Sequence, residues 1–335
     1  MREPVFWWRT GLLPARLLAP LGMLYGTVAA WRMAREGRRA GVPVVCVGNY
    51  QLGGAGKTPT VLALLAMLHD IGEHPVVLSR GYGGRLAGPV RVEPGLHRAA
   101  DVGDEPLLLA QAAPVIVARD RVAGAGLARE LGASLIIMDD GLQNPSLHKD
   151  VVIAVIDGSR GVGNGAVFPA GPLRAPLTAQ IARTDAMVVV GAGEGGLPVA
   201  RLARARDLPV FHAWFDPDPR SVAALRGRRV RAFAGIGDPQ RFFATLLGHG
   251  IDVVESQAFP DHHAYSARDL EAQHRAAASS GLTLVTTAKD LVRLSGDPRL
   301  TELAEGIVPF EVRMAFAAPN DVKAFLRARL RPVTA

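Results

Sequence analysis

Sixteen residues constrain this chain more than any others: Val44-Val45-Cys46-Val47-Gly48-Asn49-Tyr50-Gln51-Leu52-Gly53-Gly54-Ala55-Gly56-Lys57-Thr58-Pro59. An apolar run of strand character enters a glycine-rich turn. A helix then begins near Lys57 and runs through Val61, Leu62, Leu64, Leu65 and Leu68. Glycines tolerate positive φ and close backbone approach, so successive N–H groups can ring an anion at the positive end of the helix. Gly53, Gly54, Ala55, Gly56, Lys57, Thr58 and Pro59 therefore form the candidate phosphate cradle. Lys57 would reach the β- and γ-phosphates, and Thr58 would offer its hydroxyl to magnesium. The strict pattern G-x-x-x-x-G-K-[ST] asks for glycine where Gln51 stands, so the match rests on the strand–turn–helix context. The bland alternative is an ordinary turn whose lysine is solvated.

At 335 residues with 49% hydrophobic side chains, the chain can bury a large core and is long enough for two domains. One cysteine, Cys46, excludes a disulfide framework or a multi-cysteine metal site. The net charge of +7 is concentrated in residues 1–41, where Arg2, Arg9, Arg16, Arg32, Arg35, Arg38 and Arg39 face only Glu3 and Glu36. These arginines are interleaved with Trp7, Trp8, Leu12, Leu13, Leu17, Leu21, Leu24, Tyr25 and Trp31. Aromatic rings and cations flanking apolar residues predict an anionic membrane surface as partner, not nucleic acid. Between Arg16 and Arg32 lie 15 residues including Pro20 and Gly22, short of the roughly 20 that a spanning helix needs. The expectation is a helix lying on the membrane, with a docked core helix and a true span as the alternatives.

Further along, a short apolar run Pro75–Leu78 opens into Ser79-Arg80-Gly81-Tyr82-Gly83-Gly84, where Arg80 and Tyr82 are either ligand-facing groups or part of a surface turn. Asp104, in Gly103-Asp104-Glu105-Pro106, reads most simply as a helix N-cap. Ser134 to Met138 is an apolar strand ending in Asp139-Asp140-Gly141-Leu142-Gln143. Carboxylates delivered by a buried parallel strand beside a phosphate loop can hold magnesium directly or through water, and an Asp-Asp-Gly turn without metal is the alternative. Apolar runs at 151–156 and 186–190 continue a doubly wound parallel sheet. After about residue 216 a smaller α/β unit begins, bracketed by runs at 208–215 and 307–316 that could pair as a two-stranded linker. A terminal helix near 321–330 would return to the first unit.

Taken in order, Gly53-Gly54-Ala55-Gly56-Lys57-Thr58-Pro59, Ser79-Arg80-Gly81-Tyr82-Gly83, Gly103-Asp104-Glu105-Pro106, Asp139-Asp140-Gly141-Leu142-Gln143, Pro169-Ala170-Gly171-Pro172-Leu173-Arg174, Phe259-Pro260-Asp261-His262 and Thr286-Thr287-Ala288-Lys289-Asp290 resemble the tetraacyldisaccharide 4'-kinase family of lipid A biosynthesis. The resemblance covers nearly the whole chain. It implies ATP and Mg2+ as cofactors and phosphorylation of the 4'-hydroxyl of a membrane-resident, acylated glucosamine disaccharide 1-phosphate. It also implies a peripheral, monotopic location on the cytoplasmic face of the bacterial inner membrane, with no obligate protein partner. By the same resemblance Asp104 matches a catalytic base paired with His262, and Lys57 acts on the phosphates. Arg80, Tyr82, Arg121, Gln143 and Arg174 match substrate contacts, while Thr58, Asp139 and Asp140 match the metal site. His263 beside His262 leaves the partner of Asp104 ambiguous, and Ala175 stands where an acidic residue is frequent in the family.

The expected fold is α/β: a P-loop NTPase-like, doubly wound, mostly parallel sheet with a second, smaller α/β domain joined by a two-stranded linker. The expected division is an arm at 1–41, a kinase core at 42–215 with 308–335 returning to it, and a smaller domain at 216–307. The rival is a membrane-associated P-loop ATPase switch acting by partner binding, whose loop would carry lysine where Leu52 stands.

Overall fold

The structure, a computed structural model, describes residues 3–295 and 297–330. Its strands are β1 (Val44–Gly48), β2 (Pro75–Ser79), β3 (Val90–Arg91), β4 (Val115–Val117), β5 (Leu135–Asp139), β6 (Val151–Asp157), β7 (Ala186–Val190), β8 (Val210–Pro217), β9 (Arg229–Ala234), β10 (Asp252–Ala258), β11 (Thr283–Thr287), β12 (Val308–Phe310) and β13 (Val312–Phe316). The helices are α1 (Leu13–Met33), α2 (Lys57–Asp70), α3 (Ala99–Val102), α4 (Asp104–Leu109), α5 (Arg121–Glu130), α6 (Leu177–Ile181) and α7 (Leu197–Arg204). Then follow α8 (Pro219–Leu225), α9 (Pro239–Gly248), α10 (Ala267–Ser280), α11 (Ala288–Leu294), α12 (Pro298–Ala304) and α13 (Pro319–Leu330).

Nine strands form one sheet in the order β13-β8-β7-β6-β1-β5-β2-β4-β3, parallel except at the β13–β8 and β4–β3 pairs. Strands β1, β5, β6 and β7 are buried on both faces, which is why they read as unbroken apolar runs without alternation. One face packs under α2, α4 and α13 through Leu64, Leu65, Leu68, Leu107, Leu109 and Leu326. The other packs under α5, α6 and α7 through Ala125, Ala128, Ile181, Val199 and Ala203. A second, wholly parallel sheet, β10-β9-β11-β12, carries its own core around Phe233, Phe242, Phe243, Leu270 and Phe310.

The runs expected to pair as a linker do so antiparallel, Met314 opposite Phe215. The pair is also the edge of the large sheet, because β8 runs parallel to β7. The run 307–316 is two strands with Glu311 between them: Phe310 belongs to the small core and Phe316 to the large one, so a single strand could not serve both. Helix α13 returns to the large sheet, burying Val322 and Leu326 and pairing Lys323 with Asp70 at 2.7 Å.

Helix α1 departs from its expected length. It runs 21 residues straight through Pro20 and includes both Arg16 and Arg32, a length of about 30 Å at 1.5 Å per residue. It is therefore long and apolar enough to cross a membrane by length and composition, with only 11% of its most apolar window buried. Leu13, Leu17, Leu21, Met23, Leu24, Tyr25, Val28 and Trp31 are all exposed, so it is not a docked core helix. It touches the body through Gly22 and Gly26, one turn apart. A Cβ on Gly22 would sit 2.7 Å from the Val167 carbonyl, and one on Gly26 would sit 3.3 Å from Pro176.

Phe233 is fully buried, with its ring edge-on to Phe259 and Tyr265. Phe233→Ala should cost about 3–5 kcal/mol of unfolding free energy in denaturant titration. A loss below about 1 kcal/mol would mean that the small sheet lacks this core.

Candidate active site

The cradle follows directly from the sheet. Strand β1 delivers the chain to Gly53 and Gly56, whose φ values of +98° and +90° suit glycine, and α2 starts at Lys57. Gly56 is crowded by Phe215 and Met314 of the edge pair, 3.3 and 3.5 Å from where a Cβ would lie. The loop is held from behind: Leu52 N–H donates to the Pro172 carbonyl at 2.8 Å, and the Asn49 amide donates to the Gly53 carbonyl at 3.1 Å. Lys57 Nζ donates to Asn49 Oδ1 at 3.3 Å and lies 3.7 Å from Asp140. Ala55 and Thr58 are buried.

The two aspartates part company. Strand β5 sets Asp139 opposite Val47, one residue from the end of β1. Its Oδ1 is buried and has no hydrogen-bond partner, while Oδ2 is 3.5 Å from Ser79 Oγ. Burial, followed by the charges of Glu105 and Asp140, pushes its carboxyl up to about 7. A buried carboxylate oxygen with no hydrogen-bond partner, at the end of the strand beside β1, suits a hard divalent cation completed by phosphate and water. Among the described residues no three His, Cys, Asp or Glu side chains converge as a ready cage. Asp140, at φ +51°, receives Arg174 Nη1 at 3.1 Å on each oxygen. Burial would raise its carboxyl, but the charges of Lys57 and Arg174 outweigh this and hold it below the usual range.

Across the cleft stands a carboxylate–imidazole pair. Asp104 is the first residue of α4 and not its cap, which is Gly103; its Oδ1 accepts from the Glu105 N–H at 2.9 Å. His262 Nδ1 lies 3.0 and 3.2 Å from the two oxygens of Asp104. His263 turns away, stacking on Phe259 and facing Asp269 at 3.4 Å, which resolves the choice of partner. From α11, Arg293 Nε donates to Asp104 Oδ2 at 2.6 Å, and Lys289 donates to Glu105 at 2.9 Å. Burial would raise the Asp104 carboxyl; the His262 hydrogen bond and the charges of Lys289 and Arg293 outweigh it and hold the group far below the ordinary carboxylate range. The loop that carries His262 approaches the cradle: a Cβ on Gly237 would lie 3.4 Å from Asp261 and 3.6 Å from Gly54.

The remaining expected contacts divide. Tyr82 is exposed and sets its ring edge-on to His262 at 5.4 Å, and Arg80 is exposed at the start of the same loop. Arg121 is turned inward: Asp120 caps α5, and Arg121, next along, is 3% exposed with Nη1 on the Ala118 carbonyl at 3.1 Å. Its charge acts on Asp139 from behind and does not reach the cleft surface. Gln143 likewise braces the fold, donating to the Asn49 carbonyl at 2.9 Å and to Gln180 at 2.8 Å. Arg174 ties Asp140 to the Gln51 carbonyl, 3.0 Å from Nε. Sequence reasoning missed Asn49, Glu105, Lys289 and Arg293 as members of the site. Lys289 and Asp290 lay within a matched motif, but nothing local pointed from α11 to Asp104.

A phosphate cradle ending β1, a buried aspartate ending β5 and a carboxylate–imidazole pair across the cleft define a P-loop phosphotransferase. The comparisons agree. A family model described as tetraacyldisaccharide-1-P 4'-kinase matches residues 14–331. The tetraacyldisaccharide 4'-kinase of Nitrobacter winogradskyi is 59% identical over 97% of each chain, and that of a Bradyrhizobium species is 58% identical over 98% of this chain and 96% of its own. Among solved structures, LpxK from Aquifex aeolicus in complex with ATP superposes with a TM-score of 0.73 at 27% identity, covering 95% of this chain and 99% of that one. The chain belongs to the tetraacyldisaccharide-1-P 4'-kinase family.

Gly56→Ala should be strained by roughly 1–2 kcal/mol in the left-handed conformation. Calorimetric titration with ATP and magnesium should then show about tenfold weaker binding, and unchanged affinity would contradict the role given to this turn.

Proposed function

We propose that this cleft transfers the γ-phosphate of ATP to the 4'-hydroxyl of an acylated glucosamine disaccharide 1-phosphate, with Asp104 and His262 together accepting the hydroxyl proton. The observation that carries the reading is the Asp104–His262 pair, whose carboxylate is buried and whose neighbour Asp261 flanks Gly237, the glycine that abuts Gly54 of the cradle. A nucleotide switch acting by partner binding has no use for a proton acceptor at that place.

In the proposed reaction a bond forms between the 4'-oxygen and the γ-phosphorus as the bond to the β,γ-bridging oxygen breaks, and ADP leaves. The N–H groups of Gly53 to Lys57 and the Lys57 ammonium hold the phosphates in line. Thr58 and Asp139 would hold magnesium, which when bound neutralises charge on the β- and γ-oxygens. Asp140, already paired with Arg174 and Lys57, fixes the orientation of the lysine. As the hydroxyl loses its proton, the His262–Asp104 pair takes it up. The imidazole lies Nδ1 to carboxylate, which leaves Nε2 on the side away from Asp104. Arg80 and Tyr82, exposed beside His262, are placed to meet the sugar or its 1-phosphate.

We further propose that residues 1–41 form a membrane arm, that 42–217 with 312–330 form the core, and that 219–310 form the acceptor-side unit; the expected bounds of 215 and 308 shift because β8 runs to Pro217 in the large sheet and β12 pairs with β11 in the small one. Residues 1–2 and 331–335 lie outside the described residues. The exposed leucines and Trp31 of α1, with Arg9, Arg16, Arg32 and Arg35 around them, support a helix lying on the anionic cytoplasmic face of the inner membrane. The acyl chains of the substrate would then remain in the bilayer while its sugar enters the cleft.

The test is transfer of labelled γ-phosphate from ATP to the acylated disaccharide 1-phosphate in detergent micelles. Label should appear in the lipid; ATP hydrolysis with an unlabelled lipid would refute the reading. Lys57→Ala should abolish transfer, and Asp104→Ala should lower turnover at least about a hundredfold; near-normal turnover in the second variant would remove Asp104 from the chemistry. Deleting residues 1–32 should release the protein from vesicles of anionic lipid, and undiminished co-sedimentation would refute the arm as the attachment.

A further inference from the structure

We infer that Arg293 is a positioning residue for phosphoryl transfer: from the small unit it fixes the geometry and ionisation of Asp104 on the core. The inference rests on the reading of Asp104 and His262 as the proton acceptor.

The guanidinium has two working edges. Nη1 is anchored within its own unit, donating to the Gly235 carbonyl at 2.6 Å and to Asp290 at 2.7 Å. Asp290 is fully buried and is itself held by the Gly235 N–H at 3.0 Å, the Tyr265 hydroxyl at 2.9 Å and the Thr287 hydroxyl at 2.7 Å. An arginine needed only to brace the small unit would stop there. The other edge, Nε and Nη2, lies 2.6 and 2.5 Å from one oxygen of Asp104, a residue 189 positions earlier and on the other sheet. Its side chain is only 5% exposed, as is that of Asp104. A paired charge at this depth is poorly screened, so it acts on its partner more strongly than a surface arginine would.

Arg293 and His262 approach the same carboxylate. Oδ2 receives Arg293, and the His262 Nδ1 spans both oxygens. With Oδ1 also taken by the Glu105 N–H, the carboxylate plane has little freedom to rotate, and this aims the imidazole. The other charged or titratable groups around the pair are Lys289 at 3.9 Å from Asp104, Glu105 paired with Lys289, Asp261 at 3.7 Å from His262 Nε2, and Tyr82 against the His262 ring. Asp290 faces Arg293, Lys57 acts on Glu105 from the start of α2, and Asp101 of α3 is turned outward to Arg85 at 2.7 Å. Of the three cationic or imidazole groups on Asp104, Arg293 is the one locked at both ends.

Removing its charge makes the Asp104–His262 pair easier to protonate, so the acid limb of a profile that needs the pair unprotonated must move to higher pH. The test compares the full-length enzyme with Arg293→Gln, Arg293→Lys, Asp104→Asn and the Asp104→Asn/Arg293→Gln double variant in the lipid-phosphorylation assay. Thermal unfolding is recorded for each. Arg293→Gln should lower kcat by about 10–100-fold with KM for ATP within about twofold, and should raise the acid limb of kcat/KM by about one pH unit. Arg293→Lys should return the limb to near its wild-type position while kcat stays reduced, because charge is restored and the fork is not. In the Asp104→Asn background Arg293→Gln should add less than about a twofold further loss, since residues acting as a unit are not additive.

A limb that stays put in both Arg293 variants, or losses that multiply in the double variant, would overturn the inference and leave Arg293 as a fold brace. Should Arg293→Gln not fold, Arg293→Lys alone and on Asp104→Asn decides by the same kcat and additivity criteria. Full activity in Asp104→Asn would instead sink the reading beneath it, and the two failures are thereby distinguished.

Discussion

The structure turns on the carboxylate of Asp104. It starts a short helix on the large sheet, yet most of what holds it comes from the small one: His262 from the loop after β10, Lys289 and Arg293 from α11. Burying a carboxylate is costly unless it is paired and hydrogen-bonded, and removing one partner of such a set typically costs about 3–5 kcal/mol. The same contacts that help dock the two units, beside the Arg241–Asp157 and Arg160–Asp238 pairs, thus set the electrostatics of the proposed proton acceptor. The large sheet alone supplies the proposed donor site, with Lys57, Thr58 and Asp139 at the ends of β1 and β5. The small sheet completes it.

A second dependence runs through the loop 167–174. Trp7 donates its ring N–H to the Pro169 carbonyl at 3.0 Å, and the Val167 carbonyl is where α1 comes closest, at Gly22. At its other end the Pro172 carbonyl takes the Leu52 N–H, and Arg174 grips Asp140 and the Gln51 carbonyl. One loop therefore carries the N-terminal helix α1 on one side and the glycine loop before α2 on the other. Short, backbone-mediated contacts of this kind leave little room for independent movement, so α1 and the glycine loop are fixed relative to each other.

The sheet and the donor site were legible because their signals are local. Buried parallel strands read as apolar runs, and the cradle needs glycines next to Lys57 and Thr58 in one stretch. What escaped was set by distance or by neighbours. Arg293 meets a residue 189 positions away, and no periodicity reports such a pairing. Arg121 matched a substrate contact by resemblance, but its place after the capping Asp120 turns it inward. Pro20 and the flanking arginines looked like limits of an apolar segment, whereas a helix on the surface passes through them because its backbone and long side chains reach water. The choice between His262 and His263 could not be made from adjacent identical residues. It was decided by which ring faces Asp104.

The state of the His262 ring tests the central claim most directly. In the full-length protein with 15N-labelled histidine, ring-nitrogen NMR should show the His262 Nδ1–H held in a hydrogen bond to a carboxylate, and this signature should collapse in Asp104→Asn. A His262 Nδ1–H without that hydrogen bond, indifferent to Asp104→Asn, would contradict the pairing on which the proposed chemistry depends.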